Sequence, residues 1–161
     1  LLTAFSAASV IGLFEESIAE VVILATFMPV VAGMGGNGGT QTLTVVTRAI
    51  AIGELSASEG KSAVLKQLAI GVINGVGIGI LTGLAAWLWK GNAVLGGVLF
   101  MAMLLNLAIA GLVGAAVPLL LKSLDLDPAM GGGVIVTTFT DIFGFMAFLG
   151  LATALLPYIV S

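Results

Sequence analysis

The sequence predicts an all-α membrane protein with five transmembrane helices per chain, and three observations carry that expectation. Of 161 residues, 60% are hydrophobic and only 8% charged. A soluble domain carries about 25% charged residues, so this chain has too little charge to cover a water-facing surface. The mean hydropathy is +1.25. The third observation is glycine, with 23 residues. Disorder needs low hydrophobicity, whereas glycine in apolar sequence suits closely packed membrane helices.

With five basic and eight acidic residues, the uncharged gaps locate the spans. They fall at approximately 1–14, 21–47, 67–89, 93–121 and 130–159, the last interrupted by the single charge of Asp141. A helix needs about 20 apolar residues to cross the hydrocarbon core. The last four gaps meet this, and the first would do so with a few residues restored upstream. The whole chain, 1–161, reads as a single transmembrane pore domain. Helices are expected rather than a barrel, because runs such as 21–31 and 94–105 lack the alternation of barrel strands. No basic segment precedes the first apolar run and no small-residue cleavage site follows it. It is therefore not a signal peptide, and the chain reads as a membrane domain cut from a longer protein.

Orientation follows from the basic residues. Arg48, Lys61 and Lys66 follow the second span and Lys122 the fourth, leaving only Lys90 for the other side. The positive-inside rule puts 48–66 and 122–127 in the cytoplasm. The chain is expected in the cell membrane, with its N-terminus cytoplasmic and its C-terminus outside. Cysteine and histidine are absent, which excludes disulfide scaffolds, Cys/His metal sites and histidine acid–base chemistry. Net charge −3 argues against nucleic-acid partners. An enzyme is not expected, since no nucleophile elbow is present.

Asp141 is the one charge inside a span. At a helix centre an aspartate costs at least ~2.5–3.5 kcal/mol, so it should face a partner, a cavity or an ion path. No span holds a basic residue near its middle to pair with it. Thr137 and Thr140 could hold a protonated form by hydrogen bonding, and an ion site is the preferred reading. Gly133, Thr137, Asp141 and Gly144 share one helix face. Oxygen ligands alone suit hard cations such as Mg²⁺, Ca²⁺ or an alkali ion.

The second span carries Gly33, Gly35, Gly36, Gly38 and Gly39 within seven residues. These are expected to loosen the helix and expose carbonyls. Such backbone is tolerated at membrane depth only where it is buried in protein or lines a cavity. Gly33, Asn37, Gln41, Thr44 and Arg48 form a polar stripe, which reads either as a pathway beside Asp141 or as glue between helices. In the third span Gly71, Gly75, Gly79 and Gly83 recur every fourth residue, a packing face. Asn74 and Asn106 read as packing hydrogen bonds. One carboxylate per chain is thin for a divalent ion, but a two-fold dimer supplies two. Mg²⁺ keeps several waters, so such a site suits the hydrated ion and leaves binding weak enough for passage.

The runs GMGGNGGTQTLTVVTRAIAIGEL at 33–55 and DPAMGGGVIVTTFTDIFG at 127–144 resemble the membrane domain of the MgtE family of magnesium channels. That family is related to a family of animal solute carriers. The resemblance implies a homodimer with its pore on the two-fold axis, lined by the second and fifth spans. It implies that Asp141 holds hydrated Mg²⁺, with Thr137 contributing through its carbonyl. Asn37 and Gly33 would approach from the second span, with Gly133 further along the path. Gln41, Thr44 and Gly144 are expected to line the pore with them. The chain departs from the family pattern at Gly132, commonly Ser, and Val134, commonly Pro. Implied partners are a second copy, membrane lipid and upstream cytosolic magnesium-sensing domains absent from this chain. The expected function is a channel conducting Mg²⁺ into the cytoplasm. The alternatives are an exchanger coupling a divalent ion to Na⁺ or H⁺ through Asp141, or a non-transporting anchor for the upstream domains.

Overall fold

A computed structural model describes residues 1–55, 59–128 and 130–160. The middle of the polar loop expected in the cytoplasm, 56–58, lies outside the described residues, as do Ala129 of the second motif and Ser161. The order of elements is α1 (Leu2–Gly12), α2 (Glu15–Glu20), α3 (Ile23–Ala51), α4 (Gly60–Lys90), α5 (Ala93–Ser123), α6 (Gly132–Ala154) and α7 (Leu156–Val160). Every element formed by the described residues is helical, as backbone surrounded by lipid requires. Three helices, α4, α5 and α6, are long and apolar enough to cross a membrane. At 29 residues α3 has span length, but glycine, threonine and amides dilute its apolar content. The first expected span, 1–14, corresponds to α1 and ends in a turn. Leu13 and Phe14 form a turn between α1 and a short helix holding Glu15, Glu16 and Glu20. The last expected span, 130–159, is divided near Leu155 between α6 and α7.

The ends of the long helices are set by local chemistry. Gly91 adopts the left-handed conformation (φ 70°) and closes α4, where a side chain would be strained. Asn92 caps α5 by accepting the Leu95 amide at 2.9 Å, and donates its own amide to the Ile159 carbonyl at 2.9 Å. That pair ties the start of α5 to the chain's last helix. Trp87 and Trp89 stand exposed at this end of α4, with the Lys90 ammonium 4.4 Å from the Trp89 ring. Amphipathic rings at a helix end suit the membrane–water boundary. The hydroxyl of Thr153 donates to Ser17 at 2.8 Å and joins α6 to α2.

The core lies where α1, α3, α5 and α6 converge. Leu24 and Val31 of α3, Leu99 and Met103 of α5, and Phe148 and Leu149 of α6 are fully buried there. On the other side of α5, α4 is seated through its glycines. Gly71, Gly75, Gly79 and Gly83 are all buried. A Cβ at Gly75 would lie 2.9 Å from Leu104 Cα, one at Gly79 2.9 Å from the Phe100 carbonyl, and one at Gly83 2.7 Å from the Gly96 carbonyl. The expected packing face is therefore a backbone-to-backbone contact, the arrangement small residues permit.

Overpacking costs about 1–3 kcal/mol, and more when backbone must move. Gly75→Leu is expected to lose at least that much, read as a lower melting temperature in detergent. Gly77 sits on the exposed side of the same helix with no atom within 4 Å of an added Cβ. Gly77→Leu should therefore stay within about 0.5 kcal/mol of the parent. Equal losses in both variants would contradict the assigned face.

Candidate ion site on α3 and α6

The glycine-rich stretch of α3 is regular helix. The expected loosening around Asn37 does not occur, because three of these glycines, Gly35, Gly38 and Gly39, are packing positions that recover what their helix propensity costs. Gly35 and Gly39 are buried. A Cβ at Gly38 would lie 2.8 Å from Leu107 Cδ2, and one at Gly39 3.4 Å from Thr140 Cγ2. An isolated glycine costs about 1 kcal/mol in a helix, and close helix contact offsets that cost here. Pro29 is accommodated within the helix as well.

Burying Gly35 and Gly39 turns the opposite side of α3 outward. Gly33, Asn37, Gln41, Thr44 and Arg48 are all exposed, so the polar stripe read from spacing is one continuous uncovered face. Its hydroxyls are used locally. Thr44 donates to the Thr40 carbonyl at 2.8 Å, and Thr40 to the Gly36 carbonyl at 2.9 Å. The amides of Asn37 and Gln41 form no hydrogen bond with the described residues. Gln41 also lines a groove of about 240 Å³ between α3 and α4, together with Gln67 and Asn74. Asn74 is exposed in that groove, so it does not make the packing hydrogen bond expected of it.

On α6 the helix starts at Gly131, whose positive φ of 72° admits the chain's reversal, and runs unbroken through Val134. Asp141 is half-buried and its carboxylate has no hydrogen bond or ion pair among the described residues. The threonines do not hold it. Thr137 donates to the Gly133 carbonyl at 3.0 Å, and Thr140 to the Thr137 carbonyl at 3.0 Å. The carbonyl assigned to the ion by resemblance thus already accepts one side-chain donor. Gly133 is half-buried with open space where a side chain would stand. Gly144 departs from expectation: it is buried, and a Cβ there would meet the Asn106 amide at 2.5 Å. It faces the core, because it continues the buried stripe of Gly132, Val136 and Thr140, recurring every fourth residue, to one side of which Asp141 stands.

The two stripes adjoin. A Cβ at Gly36, beside Asn37, would lie 3.8 Å from Thr137 Cγ2, one turn from Asp141. On the Asp141 side of α6, Phe145 and Phe148 are buried, while Thr137 and Thr138 are half-buried and Val134 exposed. Asp141 therefore stands where closed core gives way to open surface. A larger cavity, about 790 Å³, lies elsewhere, near the ends of α3 and α5 and the start of α4. Its lining is apolar apart from Lys122 and Ser123, with no carboxylate or side-chain amide among the described residues. The α3 and α6 stripes instead carry one carboxylate and two amides with no hydrogen bond among the described residues, beside open space at Gly33 and Gly133.

The MgtE family profile, described as a divalent cation transporter, matches residues 28–151. The magnesium transporter MgtE of Bacillus subtilis is 36% identical over 146 residues, covering 91% of this chain and 32% of its own length. That of Enterococcus faecalis is 32% identical over 160 residues, 99% of this chain and 35% of its own. That of Thermus thermophilus is 33% identical over 156 residues, 97% of this chain and 34% of its own. The chain spans about a third of the length of these relatives. Those relatives are transporters rather than enzymes, and the matched segment runs from Met28 through Asp141 to Leu151. With more than half of its residues matched, the chain belongs to the MgtE family of divalent cation transporters.

Proposed function

We propose that this chain is the membrane part of a longer magnesium transporter, and that two copies form a pore on a two-fold axis between their α3 and α6 helices. The observation that carries the reading is the uncovered polar face. Asn37, Gln41 and Asp141 stand unpartnered on helices of membrane-crossing length, and polar groups at that depth need protein or water to cover them. A second copy related by a two-fold covers both stripes at once. It also sets two Asp141 carboxylates against one divalent charge.

In this arrangement each chain crosses five times, with α1 belonging to the first crossing and α6 and α7 to the last. The end bearing Arg48, Lys61, Lys66 and Lys122 faces the cytoplasm, so the N-terminus is cytoplasmic and the C-terminus outside. Mg²⁺ releases its waters reluctantly, and the side chains suit its hydrated form. Asp141 supplies charge, Asn37 and Gln41 bond to the water shell, and Gly33 and Gly133 leave room for it. Thr137, with its carbonyl already engaged by Thr140, acts through water. Thr44 continues the polar lane toward Arg48. Weak outer-sphere binding permits release. The membrane potential drives entry at about 2.3 kcal/mol per charge per 100 mV, roughly twice that for a divalent ion.

Asp141→Asn keeps the side chain's shape and removes its charge. It should fold normally yet lower Mg²⁺ flux into liposomes by about tenfold or more, given the weight of a charge at membrane depth. Unchanged flux would reject the site. Asn37→Ala should reduce discrimination between Mg²⁺ and Ca²⁺ while leaving assembly intact, checked by competition flux and molecular mass in detergent. Currents driven by voltage alone, with no Na⁺ or H⁺ gradient, are expected for a channel. Their absence would support exchange with Asp141 as the coupling group.

A further inference from the structure

Asn106 is an amide in the fully buried part of α5, with no exposed surface. Its Nδ2 donates to the Val31 carbonyl of α3 at 2.8 Å, while its Oδ1 has no hydrogen-bond partner among the described residues. It stands where two helices lack side chains. A Cβ at Gly35 of α3 would lie 2.7 Å from its Cγ, and one at Gly144 of α6 2.5 Å from its Nδ2. The amide is thus a wedge in a slot formed by one glycine from each of the two helices that carry the polar stripes. Gly35 lies two residues before Asn37 on the opposite side of α3. Gly144 lies three residues after Asp141.

Stability alone does not explain an amide here. A buried acceptor left unpaired is a standing cost that an apolar side chain of similar volume avoids. What leucine cannot supply is the bond to Val31, which fixes how far α3 slides along α5. Nor has it a flat end to fit between two glycines. We propose that Asn106 is a positioning residue. Through the Gly35–Gly144 slot and the Val31 carbonyl, it fixes the separation and register of α3 and α6, and hence the spacing of Asn37 from Asp141. The link from that spacing to transport rests on the pore reading given above.

The test separates geometry, transport and stability. The chain contains no cysteine, so spin labels can be placed cleanly at Val30→Cys on α3 and Met146→Cys on α6, both exposed positions. Labelled protein is diluted with unlabelled protein so that distances within one chain dominate. Asn106→Leu and Asn106→Ala are expected to shift or broaden the α3–α6 distance distribution. Asn106→Leu should change the Mg²⁺/Ca²⁺ flux ratio and lower maximal Mg²⁺ flux per amount of folded protein about tenfold, as small misplacements of a site do. Adding Gly144→Ala to Asn106→Ala returns a methyl to the emptied slot. It should recover part of the lost flux, a non-additivity that contacting positions show.

An unaltered distance distribution in both Asn106 variants overturns the proposal. So does altered spacing accompanied by parental flux and selectivity, or a loss of flux that only follows the amount of folded protein. If Asp141→Asn transports like the parent, the pore reading fails instead, and the label distances alone decide whether Asn106 positions the helices.

Discussion

The structure depends on how closely other helices can approach α5. Lipid tails are as apolar as leucine, so helices in a membrane gain little from hiding apolar side chains and associate through close contact and hydrogen bonds. Here glycine makes that contact possible on several sides of one helix. Gly71, Gly75, Gly79 and Gly83 bring α4 onto α5, Gly35 and Gly38 bring α3, and Gly144 brings α6. Some contacts are reciprocal, since a Cβ at Gly114 of α5 would lie 2.7 Å from the Gly39 carbonyl. Side chains at these places would push the helices apart and lose the dispersion contacts that hold them.

The polar surface follows from the same constraint. Once α3 presents Gly35 and Gly39 to its neighbours, the helical period leaves Asn37, Gln41 and Thr44 on the far side. Once α6 presents Gly144, the preceding turn carries Asp141 to the edge of the covered surface. The threonines are bonded to their own helix backbones, so the carboxylate and the amides are left for an outside partner. Glycines that pack the fold thereby aim the groups that the proposed transport uses.

Much of this was legible in the sequence, and the limits have physical causes. Uncharged gaps located α4, α5 and α6 because a charge in hydrocarbon is costly enough to be rare. The four-residue rhythm from Gly71 to Gly83 revealed its face because one helix supplies the whole pattern. Asp141 stood out as a charge with no loop to belong to. The glycines around Asn37 misled in one respect. Their local cost suggested a loosened backbone, and the contacts that offset it come from α5 and α6, far along the chain. Gly144 sits at a spacing shared by two faces of α6, the Thr137–Asp141 stripe and the buried Gly132–Val136–Thr140 stripe, and only the neighbouring helices show that it belongs to the second. Asn106 was legible as a packing amide, but the slot that gives it meaning is built from two other helices.

The central claim is that paired Asp141 carboxylates face each other across a two-fold axis and hold a hydrated divalent ion. A structure of the protein in lipid with Mg²⁺ tests it most directly. One cation is expected on the axis, with ordered water between it and the two carboxylates and with Asn37 from each copy within reach of that shell. Asp141 side chains facing lipid, or packed against protein with no cation between them, would contradict it.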